Sequence, residues 1–185
     1  MYLENTIPDA PKKVLWREDT CEWFTGGFDL DKTNLPATLS DLPKGAILSI
    51  DFANRKATVV KTARVTKAVL TTDTEVQIAK GHILVATDVI GINSKTITVG
   101  TINTSNANYD VITITANDLG AVSLGAILES TSGENIGLNY APKSLKGTVS
   151  VSATLQAYEI QGANLPYPVS SSLKTKMTSR HQFIN

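Results

Sequence analysis

Two histidines, one cysteine and a scatter of serines are the side chains of this sequence suited to nucleophilic or acid–base chemistry. A catalytic nucleophile needs a base within hydrogen-bond reach and a turn that presents it. Cys21 stands in EDTCEWF, with no glycine turn or helix start beside it to lower the thiol pKa. A lone cysteine of this kind reads as a small buried hydrophobe, and with no second cysteine there is no internal disulfide. His82 falls in an expected strand and His181 near the C-terminal end, neither with a second His or Cys at metal-ligand spacing. A Cys21/His82 pair would be the route to a small enzyme, but no local pattern brings the two together. The G-x-S-x-G elbow, G-x-G-x-x-G and G-K-[ST] phosphate loops are missing. The carboxylate pairs Asp29/Asp31 and Asp73/Glu75 have the i,i+2 spacing of a strand face or a solvated turn, without an EF-hand pattern. The expectation is a protein that is not an enzyme and takes neither cofactor nor metal.

What repeats instead is a turn. LPKGAILSID, AKGHILVATD and SLGAILESTS each place a glycine, one further residue and then Ile-Leu, with the glycines at Gly45, Gly81 and Gly125. Glycine reaches positive φ without a Cβ clash, so each copy predicts a sharp bend followed by a strand whose Ile and Leu point to opposite faces. The spacings of 36 and 44 residues are too unequal for a solenoid. They suit a compact roll in which similar arches pack round one core, with the three glycines as structural turns.

The surrounding elements agree. From about Leu42 to Ile160 the chain is a series of short Val-, Ile- and Thr-rich runs, among them AILSIDF, KATVVKTARV, AVLTT, TEVQIA, HILVAT, KTITVGTI and DVITITA. No stretch holds a helical period, so the expected class is all-β, a compact roll or barrel. Residues 1–40 read as an extended N-terminal arm, broken by Pro8, Pro11, Pro36 and Gly26-Gly27, yet carrying both tryptophans. A β domain is expected over 41–162 and a tail over 163–185. In that tail Pro166 and Pro168 hold Tyr167 extended, and Ser170–Met177 forms a short helix with a serine N-cap.

Charge excludes one class of partner. Lys and Arg balance Asp and Glu at 17 each, which is no footing for a nucleic-acid binder. The distribution is uneven: residues 1–34 carry a net −3 and residues 140–185 a net +4, which permits head-to-tail contact between subunits. No apolar run approaches the length of a membrane span and no signal-type segment opens the sequence, so synthesis in a reducing cytoplasm is expected.

The segments LPKGAILSIDFANRKATVVKTARV, KGHILVATDVIG and LGAILES resemble the β-tulip-type base domains of tailed-phage head-decoration and head-fibre proteins. The closing GTVSVSATLQAYEIQGANLPYPVSSSLKTKM is similar to the ends of such head-fibre proteins. The resemblance covers roughly residues 42–185 and leaves the aromatic arm outside it. It implies a β-tulip-like fold and a structural virion protein, a head-decoration or auxiliary capsid protein or a head-fibre base. Such a protein is made in the host cytoplasm and carried on the capsid surface. Its implied partners are the major capsid protein, other virion head proteins and copies of itself, a trimer being favoured, with neither membrane nor nucleic acid. No fibrous repeat follows the β domain, which favours a short decoration protein over a fibre.

From position and residue type, the expected protein contacts are Trp16, Trp23, Phe24 and Phe28 in the arm and Tyr167, Leu173 and Phe183 in the tail, the alternative for the arm being that it folds back and its aromatics complete the chain's own core. The alternative reading is a carbohydrate- or cell-surface-binding β module, for which Tyr109 and Tyr140, both in expected loops, are the natural platforms.

Overall fold

The computed structural model describes residues 13–116 and 118–184. Residues 1–12 of the expected arm, Asn117 and Asn185 lie outside the described residues. The strands fall into three legs of chain. The first holds β1 (Arg17–Trp23), β2 (Phe28–Asp31), β3 (Asp41–Leu42), β4 (Ile47–Asp51) and β5 (Lys56–Val59). The second holds β6 (Thr62–Arg64), β7 (Glu75–Ala79), β8 (Val89–Ile92), β9 (Lys95–Thr98), β10 (Ile102–Asn103), β11 (Tyr109–Thr113) and β12 (Ile127–Ser130). The third holds β13 (Ile136–Leu138), β14 (Lys143–Ser144), β15 (Ser150–Val151), β16 (Thr154–Gln161), a 3-10 turn (Gly162–Asn164), a short α-helix α1 (Ser171–Lys176) and β17 (His181–Ile184). The all-β class follows from the two-residue burial rhythm, clearest in β7 and β11, where Val76, Ile78 and Ile112 turn inward between more exposed neighbours.

The expected single core is two. Legs one and three build one core around Trp16, Phe28, Leu42, Ile47, Val151 and Leu173. Its main sheet runs β13-β4-β5-β2-β15, antiparallel except for the β2–β5 pair; a second sheet runs β1-β16-β17, and β3 pairs with β14. The middle leg is inserted between β5 and β13 and closes over its own core of Val65, Val76, Ile78, Ile90, Ile112 and Leu128. Its sheets run β6-β12-β8-β9 and β10-β11-β7. The second core contains no aromatic residue, and Tyr109 is the one aromatic residue between Lys61 and Ser130.

The three glycine turns are real bends, at φ of +81°, +84° and +83° for Gly45, Gly81 and Gly125. Two of them lead into strands, β4 and β12. The third does not: residues 82–85, expected as strand HILVAT, are irregular. Side chains there satisfy the backbone instead of a ladder, since Leu84 N–H donates to His82 Nδ1 and Val85 N–H to Asp88 Oδ2. Ile83 enters the first core and Leu84 the second, so this copy of the turn ties the two together. AVLTT likewise yields only a bridge, Val69 to Val122.

The arm is also corrected where it is described. Residues 17–31 form β1 and β2, and β2 sits inside the five-stranded sheet between β5 and β15. Burying Trp16, Phe28 and Leu30 outweighs the breakers around them, at roughly 1.5–3 kcal/mol for each large side chain removed from water. The tail returns to the body as well. Ser170 caps α1 by accepting Leu173 N–H, Leu173 is buried, and β17 pairs parallel to β16.

Candidate interaction surface

Of the seven expected contact residues, four belong to the chain's own interior. Trp16, Phe28, Tyr167 and Leu173 are buried in the first core and are not presented to a partner. Gly27 beside Phe28 and the prolines around Tyr167 make those two look loop-borne, whereas the fold draws all four inward. Phe183, in β17, is half-buried with the Lys174 ammonium 4.4 Å above its ring. Trp23 is exposed and Phe24, like Phe183, is half-buried.

Trp23 and Phe24 are consecutive at the end of β1 and pack in different directions. Trp23, 44% exposed, stacks on Tyr140 with ring centroids 4.2 Å apart. Phe24 meets Phe52 edge-on at 5.0 Å and Phe28 at 6.0 Å. Phe52, on the β4–β5 turn, is 42% exposed. Two cations hem the cluster. Lys44 lies 4.7 Å from the Trp16 ring and 5.8 Å from that of Tyr140, and is paired with Glu18. Arg55 lies 4.6 Å from the Phe28 ring and is fixed by the carbonyls of Thr25 and Gly27. The result is two pre-ordered aromatic groups, Trp23–Tyr140 and Phe24–Phe28–Phe52, each with one half-exposed member of the residue types found in interfaces. Sequence reading missed Phe52 and Lys44, since a lone Phe after a strand and a turn lysine carry no pattern.

The groups with catalytic potential are committed to the fold. Because His82 Nδ1 accepts an amide hydrogen, its ring proton sits on Nε2, which faces Asp110 Oδ2 at 3.1 Å. Asp110 also receives the Lys80 ammonium. Burial pushes the His82 pKa down, against the opposing pull of Asp110. His181 is likewise lowered by burial. The Thr178 hydroxyl donates to Leu155 O, so it accepts from His181 Nδ1 at 2.9 Å. The Thr154 hydroxyl accepts Leu138 N–H and donates to His181 Nε2 at 2.8 Å. All four ring nitrogens therefore serve internal hydrogen bonds. Cys21 is buried in the first core, and desolvation pushes its thiol up to about 11, far from a reactive thiolate. Among the described residues no group of three or more His, Cys, Asp or Glu side chains is placed to hold a metal ion.

The seam between the cores is polar. The Lys61 ammonium is held by both carboxylate oxygens of Asp88 at 2.7 Å, and Lys61 is only 1% exposed. Lys61 and Ser130 exchange two further bonds, Thr62 donates to Pro168 O, and the Ser170 hydroxyl donates to Glu129. Comparison with protein-family models, curated proteins and solved structures gives no match. The assignment of function therefore rests on this chain's own residues and on the resemblance of residues 42–185.

Proposed function

We propose that this chain is a structural protein of a tailed-phage virion that seats on the outside of the capsid and reinforces it by adhesion. The resemblance of residues 42–185 to head-decoration and head-fibre base domains supplies the class. The observation that carries adhesion is the Trp23–Tyr140 stack: a large ring held half-exposed against a second ring, at little further entropic cost on docking. The contact is with the major capsid protein or a neighbouring head protein. A specific interface of about 1,200–2,000 Å² in total exceeds what this patch alone provides. Oligomerisation, with a trimer favoured, multiplies it by avidity.

The test is co-sedimentation of the purified protein with assembled heads and with isolated capsid subunits, alongside light scattering at several concentrations. The expected result is an oligomer that pellets with heads and not with subunits. A Trp23→Ala/Tyr140→Ala variant should bind at least about 30-fold more weakly, as loss of a hot spot of about 2 kcal/mol requires. A strictly monomeric protein with no affinity for heads would overturn the proposal.

A further inference from the structure

A cleft of about 720 Å³ opens between the second core and α1, away from the aromatic residues and beside the Ser170–Glu129 bond of the seam. It exists because one sheet splits. β12 pairs with β6 over Ile127–Glu129, but with β8 only at Glu129 and Ser130. Beyond that point β8 turns away into a hairpin with β9, through Asn93 and Ser94 at φ of 51° and 64°. This two-residue turn matches the right-handed twist of its strands and holds the hairpin rigid. The segment Ser170–Ser172 and Lys176 close the third side.

The lining has two parts. Its floor is aliphatic, formed by Ile92, Ala126 and Ile127. Its rim carries the exposed hydroxyls of Thr96, Thr131, Ser171 and Ser172, with Lys176 at one edge and the Glu129 carboxylate held by the Ser170 hydroxyl. One backbone pair joins them. Ser130 N–H and Ala126 C=O both bond towards the β6 side, to Lys61 O and Val65 N–H at 2.8 Å. Alternation along the strand therefore turns the N–H and C=O of Ile127 into the cleft.

A single free backbone pair is too short for strand addition, which binds through a row of them. The hydroxyl rim decides the ligand class. Each hydroxyl donates and accepts, matching a ligand whose own polar groups are hydroxyls, while an aliphatic floor takes the C–H face of a sugar ring. The volume lies within the range of small-molecule sites. We propose that this cleft binds a short oligosaccharide. The proposal is independent of the capsid reading.

The experiment is amide-resolved NMR titration of the full chain with maltotriose, chitotriose, trigalacturonate and sialyllactose. At least one of these should shift amides of residues 92–96, 125–131 and 171–172 and saturate in the millimolar range. Ser172→Trp, which fills the mouth from an exposed position, should weaken that binding at least ten-fold while leaving distant amides unmoved. Three results would overturn the proposal. One is that no sugar of the panel shifts these amides at tens of millimolar. Another is that shifts centre on Trp23 and Tyr140. The third is that a hexaglutamate peptide shifts the cleft amides where the sugars do not.

Discussion

Replacing Asp88 by asparagine should be among the most damaging single changes in this protein, and more damaging than replacing its partner. Lys61 is 1% exposed and its ammonium is held by both Asp88 oxygens, whereas Asp88 is 14% exposed and also accepts Val85 N–H. Asparagine keeps an oxygen for Val85, but its amide then turns a donor towards a positive charge with no route to water. Stranding one member of a buried pair costs about 3–5 kcal/mol. In Lys61→Met the stranded carboxylate keeps the Val85 bond and some solvent, so a loss of about 1–3 kcal/mol is expected. The double variant should lie near Lys61→Met alone, giving a coupling equal to the whole cost of Asp88→Asn, about 3–5 kcal/mol. For a domain stable by about 5–15 kcal/mol, Asp88→Asn removes a large share. Urea unfolding checks this with two probes. Tryptophan emission reports the first core region, which holds both tryptophans, and far-UV circular dichroism reports both cores. Because the pair sits in the seam, the two midpoints should separate in Asp88→Asn and coincide in the wild type. A loss under about 1 kcal/mol, or a double variant no better than Asp88→Asn, would refute the argument from burial.

The glycine turns give a graded series by thermal melting. Alanine at Gly81 or Gly125 meets nothing within 4 Å and carries only the left-handed backbone strain of about 1–2 kcal/mol. At Gly45 the added Cβ also comes within 3.0 Å of Leu15 and Leu165, so Gly45→Ala should melt lowest. Acid should destabilise through both histidines. Their folded pKa values lie below 6.5, so the unfolded chain binds protons first, and stability falls as pH drops below about 6.5. His82→Gln should flatten that slope in pH-dependent urea titrations. At the other end, the Cys21 thiol is raised to about 11 from 9.0, so stability falls as pH rises above 9. Near neutral pH a disulfide-exchange reagent should label Cys21 only on unfolding, and fast labelling of the native protein would contradict its burial. Trp23→Ala removes a ring already half in water, so it should leave the melting temperature within a few degrees while weakening head binding.

The parts of this fold legible in the sequence are those set by neighbours along the chain. A glycine bend before Ile-Leu, a two-residue burial rhythm and a serine cap three residues before Leu173 are local, and the structure contains all of them. What was not legible depends on which strand lies beside which. KATVVKTARV reads as one continuous run, yet β5 and β6 within it belong to different cores, and the lysine between them is buried because Asp88 arrives from 27 residues away. Hydrophobic patterning cannot mark that change of core, since both halves are Val- and Thr-rich. A compositional signal does mark it: every Phe and Trp lies outside residues 61–130. An aliphatic insert in an otherwise aromatic-bearing chain is what two separately packed interiors leave behind, because rings packed edge-to-face favour partners in the same core. The arm aromatics followed the same logic. Trp16 and Phe28 suit either an anchor on a neighbour or the chain's own core, and the core that holds them is their own.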